Sequence, residues 1–137
     1  MNAEHPPNGH TSPADFALAR TTATWLASAR VCMPFNLLFA AFGWWGLAGA
    51  WRWPALLLLL YAGYLHVRLA VDRPLFEAFA AGWLPADFDA ARRTLGESGG
   101  TPQRSMLSRS RGALSLWRQL LALTALQGCC LLAALAL

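Results

Sequence analysis

Two aspartates set two residues apart, Asp87 and Asp89, are the side chains of this sequence best suited to chemistry at a membrane surface. A third, Asp72, follows a long apolar run. Carboxylates bind divalent cations and arginines bind phosphate, so these three acids, Glu77 and the neighbouring arginines are the set that an enzyme acting on a lipid or isoprenoid headgroup would use. The competing interpretation, which we favour, places these acids on solvated helix faces, where they suit the positive end of a helix dipole.

The histidines and cysteines do not form a recognisable ligand set. His66 lies beside a hydrophobic run, whereas the other two histidines lie in the polar N-terminal region, so a haem held by two histidines is not predicted. The spacing typical of zinc ligands is also missing among the cysteines, Cys32, Cys129 and Cys130. We predict no metal and no cofactor. His66 is interpreted as a packing or interfacial residue, with a proton-sensitive role near Arg68 as the alternative.

Three apolar runs must position these side chains. Charged residues are absent from Val31–Trp51, Trp53–Val67 and Gln119–Leu137. About 20 helical residues cross the roughly 30 Å hydrocarbon core of a bilayer. The second run reaches that length when it continues past Arg68, whose alkyl stem can extend to the interface. We therefore predict an all-α integral membrane protein whose transmembrane domain, residues 31–137, has three transmembrane helices, at about 31–51, 53–72 and 119–137.

The composition agrees with a membrane protein and argues against other classes. Hydrophobic residues make up 56 % of the 137 residues and charged residues only 13 %, whereas soluble domains are about a quarter charged. The net charge of +4 comes from arginines that flank the apolar runs, and no basic run is interleaved with aromatic residues as in a nucleic-acid groove. The lipid bilayer is therefore a predicted partner and nucleic acid is not.

The arginines predict the orientation. Eight of the eleven arginines lie at the end of span two or between the second and third spans, namely Arg68, Arg73, Arg92, Arg93, Arg104, Arg109, Arg111 and Arg118. Because arginine is retained on the cytoplasmic side, this segment and the N-terminus are predicted to be cytoplasmic and the C-terminus outside. The use of arginine without lysine, together with abundant alanine and leucine, is typical of GC-rich bacterial genomes. We therefore expect a multi-pass protein of the bacterial inner membrane.

Arg52 stands between Trp51 and Trp53, at the predicted turn between the first two spans. Tryptophan and arginine are common at the membrane–water interface, and Pro54 suits the first turn of a helix. We interpret these three residues, together with Arg68 at the other end of span two, as interface anchors. Binding of an anionic headgroup or substrate by Arg52 is the alternative.

The polar segments predict the remaining elements. Residues 1–12 are expected to form a disordered tail, and residues 13–30 an amphipathic surface helix that runs into span one. Pro74 is expected to end the second helix at the preceding residue. The cytoplasmic segment 73–118 is predicted to hold amphipathic helices, with two short ones in residues 74–96 and another leading into span three.

The helix-packing candidates of span one are Asn36, Gly43, Gly46 and Gly49. Glycines at intervals of three would form a flat stripe that admits a neighbouring backbone. The favoured interpretation is packing against span two, and the alternative is self-association or a partner helix. Asn36 is expected to face protein because a polar side chain inside a span avoids lipid.

Three functions are compatible with these features. We favour a non-enzymatic accessory or scaffolding subunit of a membrane complex, whose partners are other membrane subunits or further copies of the chain. The second is the headgroup enzyme at the cytoplasmic interface. The third is an oligomeric channel or transport component, which the glycine stripe and Asn36 support and the absence of an acid inside a span opposes.

Overall fold

A computed structural model describes residues 12–46, 49, 52–95 and 105–136. These residues form four α-helices and no strand, with the order α1 (Pro13–Gly46), α2 (Arg52–Ala80), α3 (Pro85–Thr94) and α4 (Met106–Ala136). Helices α1, α2 and α4 are long and apolar enough to cross a membrane. At 1.5 Å per residue each exceeds about 40 Å, which is more than the thickness of the hydrocarbon core. The predicted all-helical class with three such helices is confirmed.

The first turn of α1 is capped from within the chain. The backbone N–H of Asp15 donates to Ser12 Oγ at 3.2 Å, and the backbone N–H of Ser12 donates to Asp15 Oδ2 at 3.0 Å. This reciprocal pairing is a capping box, and Pro13 suits the first helical position. Residues 1–11 of the predicted tail lie outside the described residues.

Helix α1 is unbroken through Pro34 and joins the predicted surface helix to span one. Its first half packs within the bundle, where Ala19, Leu26 and Ala29 are buried. Small side chains on that face let a neighbouring helix approach closely. Residues 13–30 are therefore the N-terminal part of one long helix, and their apolar face is covered by protein.

Helix α1 packs antiparallel to α2 and parallel to α4. Against α2, the guanidinium of Arg52 lies over Trp44, and Asn36 bonds to His66 further along. The contacts with α4 advance along both helices together, from Ser28–Trp117 through Asn36–Thr124 to Phe39–Gly128. The chain thus runs up, down and up, with α1 in contact with both other long helices.

The inward face of α4 follows a heptad pattern. Its members recur at alternating intervals of four and three residues: Met106, Ser110, Ala113, Trp117, Leu120, Thr124 and Gln127. This is the spacing of a coiled-coil seam, in which side chains of one helix fit between those of its neighbour. Polar residues recur on the seam, which suits a membrane bundle held by close packing and interhelical hydrogen bonds.

Helix α2 continues through Pro74 to Ala80, so the predicted helix end before Pro74 is wrong. Proline removes one backbone hydrogen bond and crowds the preceding turn, which costs about 3 kcal/mol in a helix interior. Burial of Phe76 and Phe79 on the extension offsets this cost. Tertiary packing therefore overrides the local signal.

The end of α2 and the start of α3 enclose an aromatic cluster, Phe76, Phe79, Trp83 and Phe88. The ring centroid of Phe79 lies 6.0 Å from that of Phe76 and 6.2 Å from those of Trp83 and Phe88. Gly82, at φ 105°, allows the chain to turn between the two helices. Of the two short helices predicted in residues 74–96, the first is the end of α2 and the second is α3.

Candidate functional site

A polar cluster joins the three long helices within the bundle. Asn36 on α1 is only 2 % exposed. Its Nδ2 lies 3.1 Å from Nε2 of His66 on α2, and Thr124 Oγ1 on α4 donates to its Oδ1 at 3.1 Å. One amide therefore links all three helices. Asn36 is thus enclosed by the other helices of the chain.

The donors and acceptors of this cluster define what it can do. The Asn36 amide nitrogen is a donor only, so His66 Nε2 accepts and the ring proton of neutral His66 belongs on Nδ1. The Thr124 hydroxyl has one proton and two acceptors within reach, Asn36 Oδ1 and the Leu120 carbonyl at 2.9 Å. The arrangement satisfies polar groups in apolar surroundings, which is a structural task.

Two further buried polar atoms on α4 make no hydrogen bond with any described residue, Ser110 Oγ and Gln127 Oε1. Gln127 lies three residues beyond Thr124, on the same helix face. Neither residue, nor Thr124, was singled out from the sequence. The signal was present in the heptad pattern of α4, which places all three on its inward face.

A second constellation ties α3 to α4 at the arginine-rich end of the bundle. Nη2 of Arg109 lies 2.7 Å from Oδ1 and 2.6 Å from Oδ2 of Asp89. The side chains are 12 % and 27 % exposed, respectively, and the Arg109 guanidinium also lies 5.8 Å from the centroid of the Phe88 ring. Asp89 is therefore paired and partly covered, whereas the sequence placed it on a solvated helix face.

The other acids do not join this pair to form a metal site. Asp87 lies in the exposed first turn of α3. Asp72 has Nε of Arg68 at 3.9 Å from its Oδ2, and Glu77 accepts a 2.7 Å hydrogen bond from Arg73. No group of three or more histidine, cysteine or acidic residues that could hold a metal is found in the described part of the chain.

At the opposite end of the bundle, Arg52 begins α2 and lies with its Cζ 5.8 Å from the centroid of the Trp44 ring. Trp53 is exposed, as expected of an interface anchor. Trp51, the third predicted anchor at this turn, lies outside the described residues. The arginine is thus positioned by α1 as well as by its own helix.

The predicted glycine stripe does not form a packing face. Gly43 is buried on α1. Gly46 is exposed at the end of α1, and Gly49 lies beyond the helix with φ 63°. A Cβ added at Gly46 or Gly49 would meet nothing within 4 Å. The stripe is interrupted because the helix ends before its third member.

Comparisons with protein families, curated proteins and solved structures find no match to the chain.

Proposed function

We propose that this protein is a non-enzymatic accessory or scaffolding subunit of a membrane protein complex. One observation carries the proposal: Asp89, one of the acids suited to chemistry, and Asn36, the polar side chain within span one, hold helices of the chain to one another. Asn36 bonds to both neighbouring helices, and Asp89 receives two hydrogen bonds from Arg109. These contacts build a stable frame, and the long exposed helix faces around it offer surface to lipid and to other spans.

The headgroup enzyme loses support from the same contacts. A metal site at the cytoplasmic interface requires carboxylates directed at one point. Asp89 instead neutralises a largely covered arginine, Asp87 is exposed in the first turn of α3, and Asp72 faces Arg68 on α2. A channel assembled from several copies is weakened likewise, because Asn36, its one polar candidate in span one, is buried within the bundle of a single chain.

We also propose that the chain lies in the bacterial inner membrane with its N-terminus in the cytoplasm and its C-terminus outside. The excess of arginine around α3 and the start of α4 supports this orientation. Single cysteines introduced at exposed Ser105 and at exposed Trp45, in a background with the native cysteines replaced by alanine, test it in intact cells. A membrane-impermeant maleimide should label the cysteine at Trp45 and spare the one at Ser105; the reverse pattern would refute the orientation.

The subunit role is tested by gentle solubilisation of the tagged protein from its native membrane and mass spectrometry of what co-purifies. The expected result is a protein partner in stoichiometric amount that survives several mild detergents. Asp87→Asn serves as a matched variant, because it alters an exposed candidate catalytic acid and leaves the Asp89–Arg109 pair intact. The variant should retain the partner and the cellular phenotype. Recovery of a monomer without a partner in every detergent would contradict the proposal.

A further inference from the structure

The exposed side chains of the long helices change character at one level of the bundle. Before Arg30, α1 exposes arginine, threonine and serine side chains, and from Val31 to Gly46 no polar side chain of α1 is exposed. Helix α4 changes in the same way after Arg118, where Gln119 is its last exposed polar side chain among the described residues. The exposed polar residues on the arginine-rich side of this level include Arg20, Thr24 and Ser28 of α1 and Ser108, Arg111 and Ser115 of α4.

Three exposed arginines mark this level, one on each long helix: Arg30, Arg68 and Arg118, which we call the boundary arginines. Arg30 and Arg118 lie at nearly the same height. Ser28 and Trp117, which come just before them, are joined by a 3.0 Å hydrogen bond, and α1 runs parallel to α4.

Arg68 lies close to this height on the antiparallel helix α2. It comes two residues after His66, whereas Arg30 comes six residues before Asn36, the hydrogen-bond partner of His66. At 1.5 Å per residue, the heights of Arg68 and Arg30 therefore differ by about 6 Å. The side chain of Arg68 reduces this difference, because it extends towards Asp72, with Nε 3.9 Å from Oδ2.

The helix lengths on the two sides of this level suit a bilayer and water, respectively. Arg52 and Arg68 are about 24 Å apart along α2, and their alkyl stems can extend to interfaces that lie about 30 Å apart. On the other side, α1 continues from Arg30 back to Pro13, a distance of about 25 Å. This second segment carries the exposed polar side chains and therefore suits water.

The boundary arginines are available to an anionic ligand. No hydrogen bond or ion pair joins the side chain of Arg30 or Arg118 to any described residue, and the side chain of Arg68 is 56 % exposed. Their neighbours Val31 and Val67 are 64 % and 66 % exposed. A cation beside exposed apolar surface suits a molecule that has both a phosphate and acyl chains, so the surface favours a lipid over a free anion.

We propose that the three boundary arginines bind the phosphates of anionic phospholipids, so that α3 and the adjoining helix ends stand in water. Trp25 and Trp117, whose ring centroids are 5.0 Å apart, then lie at headgroup depth, where tryptophan is common. The site is independent of the proposed subunit role, because none of the three arginines belongs to either polar cluster described above.

The first test uses the full-length protein in nanodiscs that contain equal amounts of phosphatidylglycerol and phosphatidylcholine. Native mass spectrometry measures which lipid the ejected protein retains. One arginine near an anionic surface strengthens binding about fivefold, so the wild type is expected to retain phosphatidylglycerol at least about fivefold over phosphatidylcholine. The triple variant Arg30→Gln, Arg68→Gln and Arg118→Gln should reduce this preference to about twofold or less.

A matched triple variant separates position from charge. Arg20→Gln, Arg93→Gln and Arg111→Gln remove the same number of positive charges from exposed sites that the proposal places in water. This variant should keep most of the preference, and circular dichroism confirms that both variants retain the helicity of the wild type. An equal loss in the two variants would overturn the proposal. An unchanged preference without the boundary arginines would also overturn it and would leave these residues to a protein partner.

A second measurement locates the boundary itself. Single nitroxide labels are placed on exposed sites of protein whose native cysteines are replaced by alanine, through Ala17→Cys, Phe35→Cys, Ser108→Cys and Leu126→Cys. In nanodiscs, a water-soluble nickel complex should relax the labels at positions 17 and 108 more than oxygen does, and oxygen should dominate at positions 35 and 126. Oxygen dominance at position 17 or 108 would place these helix ends in lipid and overturn the proposal.

Discussion

The two halves of the bundle differ in how many of their side chains are buried, and the more hydrophobic half has fewer of them. The arginine-rich half, defined as residues 13–36, 62–95 and 105–124, contains nearly all of the buried side chains of the described residues. The apolar half, residues 37–46, 52–61 and 125–136, holds the run Leu56–Leu60, whose members are half-buried or exposed. Lipid tails are as apolar as leucine, so no hydrophobic force draws these helices together. Hydrophobic runs identify the helices that can enter a membrane. Tight packing is found instead where small, aromatic and polar side chains meet.

The largest expected effect is the loss of an aromatic core residue in the arginine-rich half. Phe79 is 1 % exposed and contacts three other rings, so Phe79→Ala leaves a cavity in the cluster. We expect the free energy of unfolding to fall by about 3–5 kcal/mol. Equilibrium unfolding in mixed micelles of a neutral detergent and dodecyl sulfate, followed by circular dichroism, measures the change.

Phe42 provides the matched control, because it is 46 % exposed in the apolar half. Phe42→Ala should lower the free energy of unfolding by less than about 1 kcal/mol, since surface changes usually have small effects. Equal losses for the two substitutions would abolish the distinction between the halves.

The next effect concerns the link between α3 and α4. Asp89→Asn or Arg109→Gln leaves a mostly covered charge without its main partner. Full burial would make such a loss about 3–5 kcal/mol, and the partial exposure of Asp89 reduces the expectation to about 2 kcal/mol. A double-mutant cycle on the same unfolding assay should give a coupling energy above about 1 kcal/mol.

The pair Arg73–Glu77, four residues apart on α2 and with side chains 26 % and 49 % exposed, serves as the reference cycle. Its coupling should be about 0.3–0.5 kcal/mol and should weaken further in high salt. A coupling at Asp89–Arg109 no larger than this reference would show that α3 is held by its aromatic contacts alone.

A smaller effect is expected at the polar cluster, although it links three helices. Interhelical hydrogen bonds in membrane proteins average about 0.6 kcal/mol, with a maximum near 1.7 kcal/mol. Thr124→Val removes the hydroxyl that donates to Asn36 and keeps the side-chain shape. The free energy of unfolding should therefore fall by about 0.6 kcal/mol. A gain in stability would show that the cluster sets the helix register without contributing to stability.

The sequence predicted which helices could enter a membrane better than it predicted how those helices pack against one another. The apolar runs fix helix number because lipid solvates any apolar side chain, and Ser12 to Asp15 fix the start of α1 through purely local hydrogen bonds. The helix end predicted at Pro74 was wrong because the free-energy cost of a proline inside a helix is opposed by the burial of Phe76 and Phe79, which only tertiary structure provides.

The candidate site residues also divide into those that local sequence predicts and those that only the fold brings together. Asn36 was predictable because a lone amide in an apolar run requires protein neighbours, and it is buried. Its partners His66 and Thr124 are 30 and 88 residues away in sequence, and no local pattern pairs them. Asp89 was assigned to a solvated helix face because an acid suits the positive end of a helix dipole, and Arg109 was given no partner. Their contact depends on how the turn at Gly82 aims α3, which spacing along the chain does not encode.

The smallest effect is expected at Gly46, and a comparison of this glycine with Gly49 sharpens the difference between the halves. Gly46→Ala adds a methyl group that meets nothing within 4 Å in the apolar half, so the free energy of unfolding should change by less than about 0.5 kcal/mol. Gly49→Ala also enters open space, but its φ of 63° is unfavourable for alanine and should cost about 1 kcal/mol. A larger loss at Gly46 than at Gly49, in the same unfolding assay, would mean that this end is tightly packed. Because the methyl group added at Gly46 enters open space, it neither gains nor loses a protein contact, and only the backbone conformation at Gly49 retains a preference for glycine.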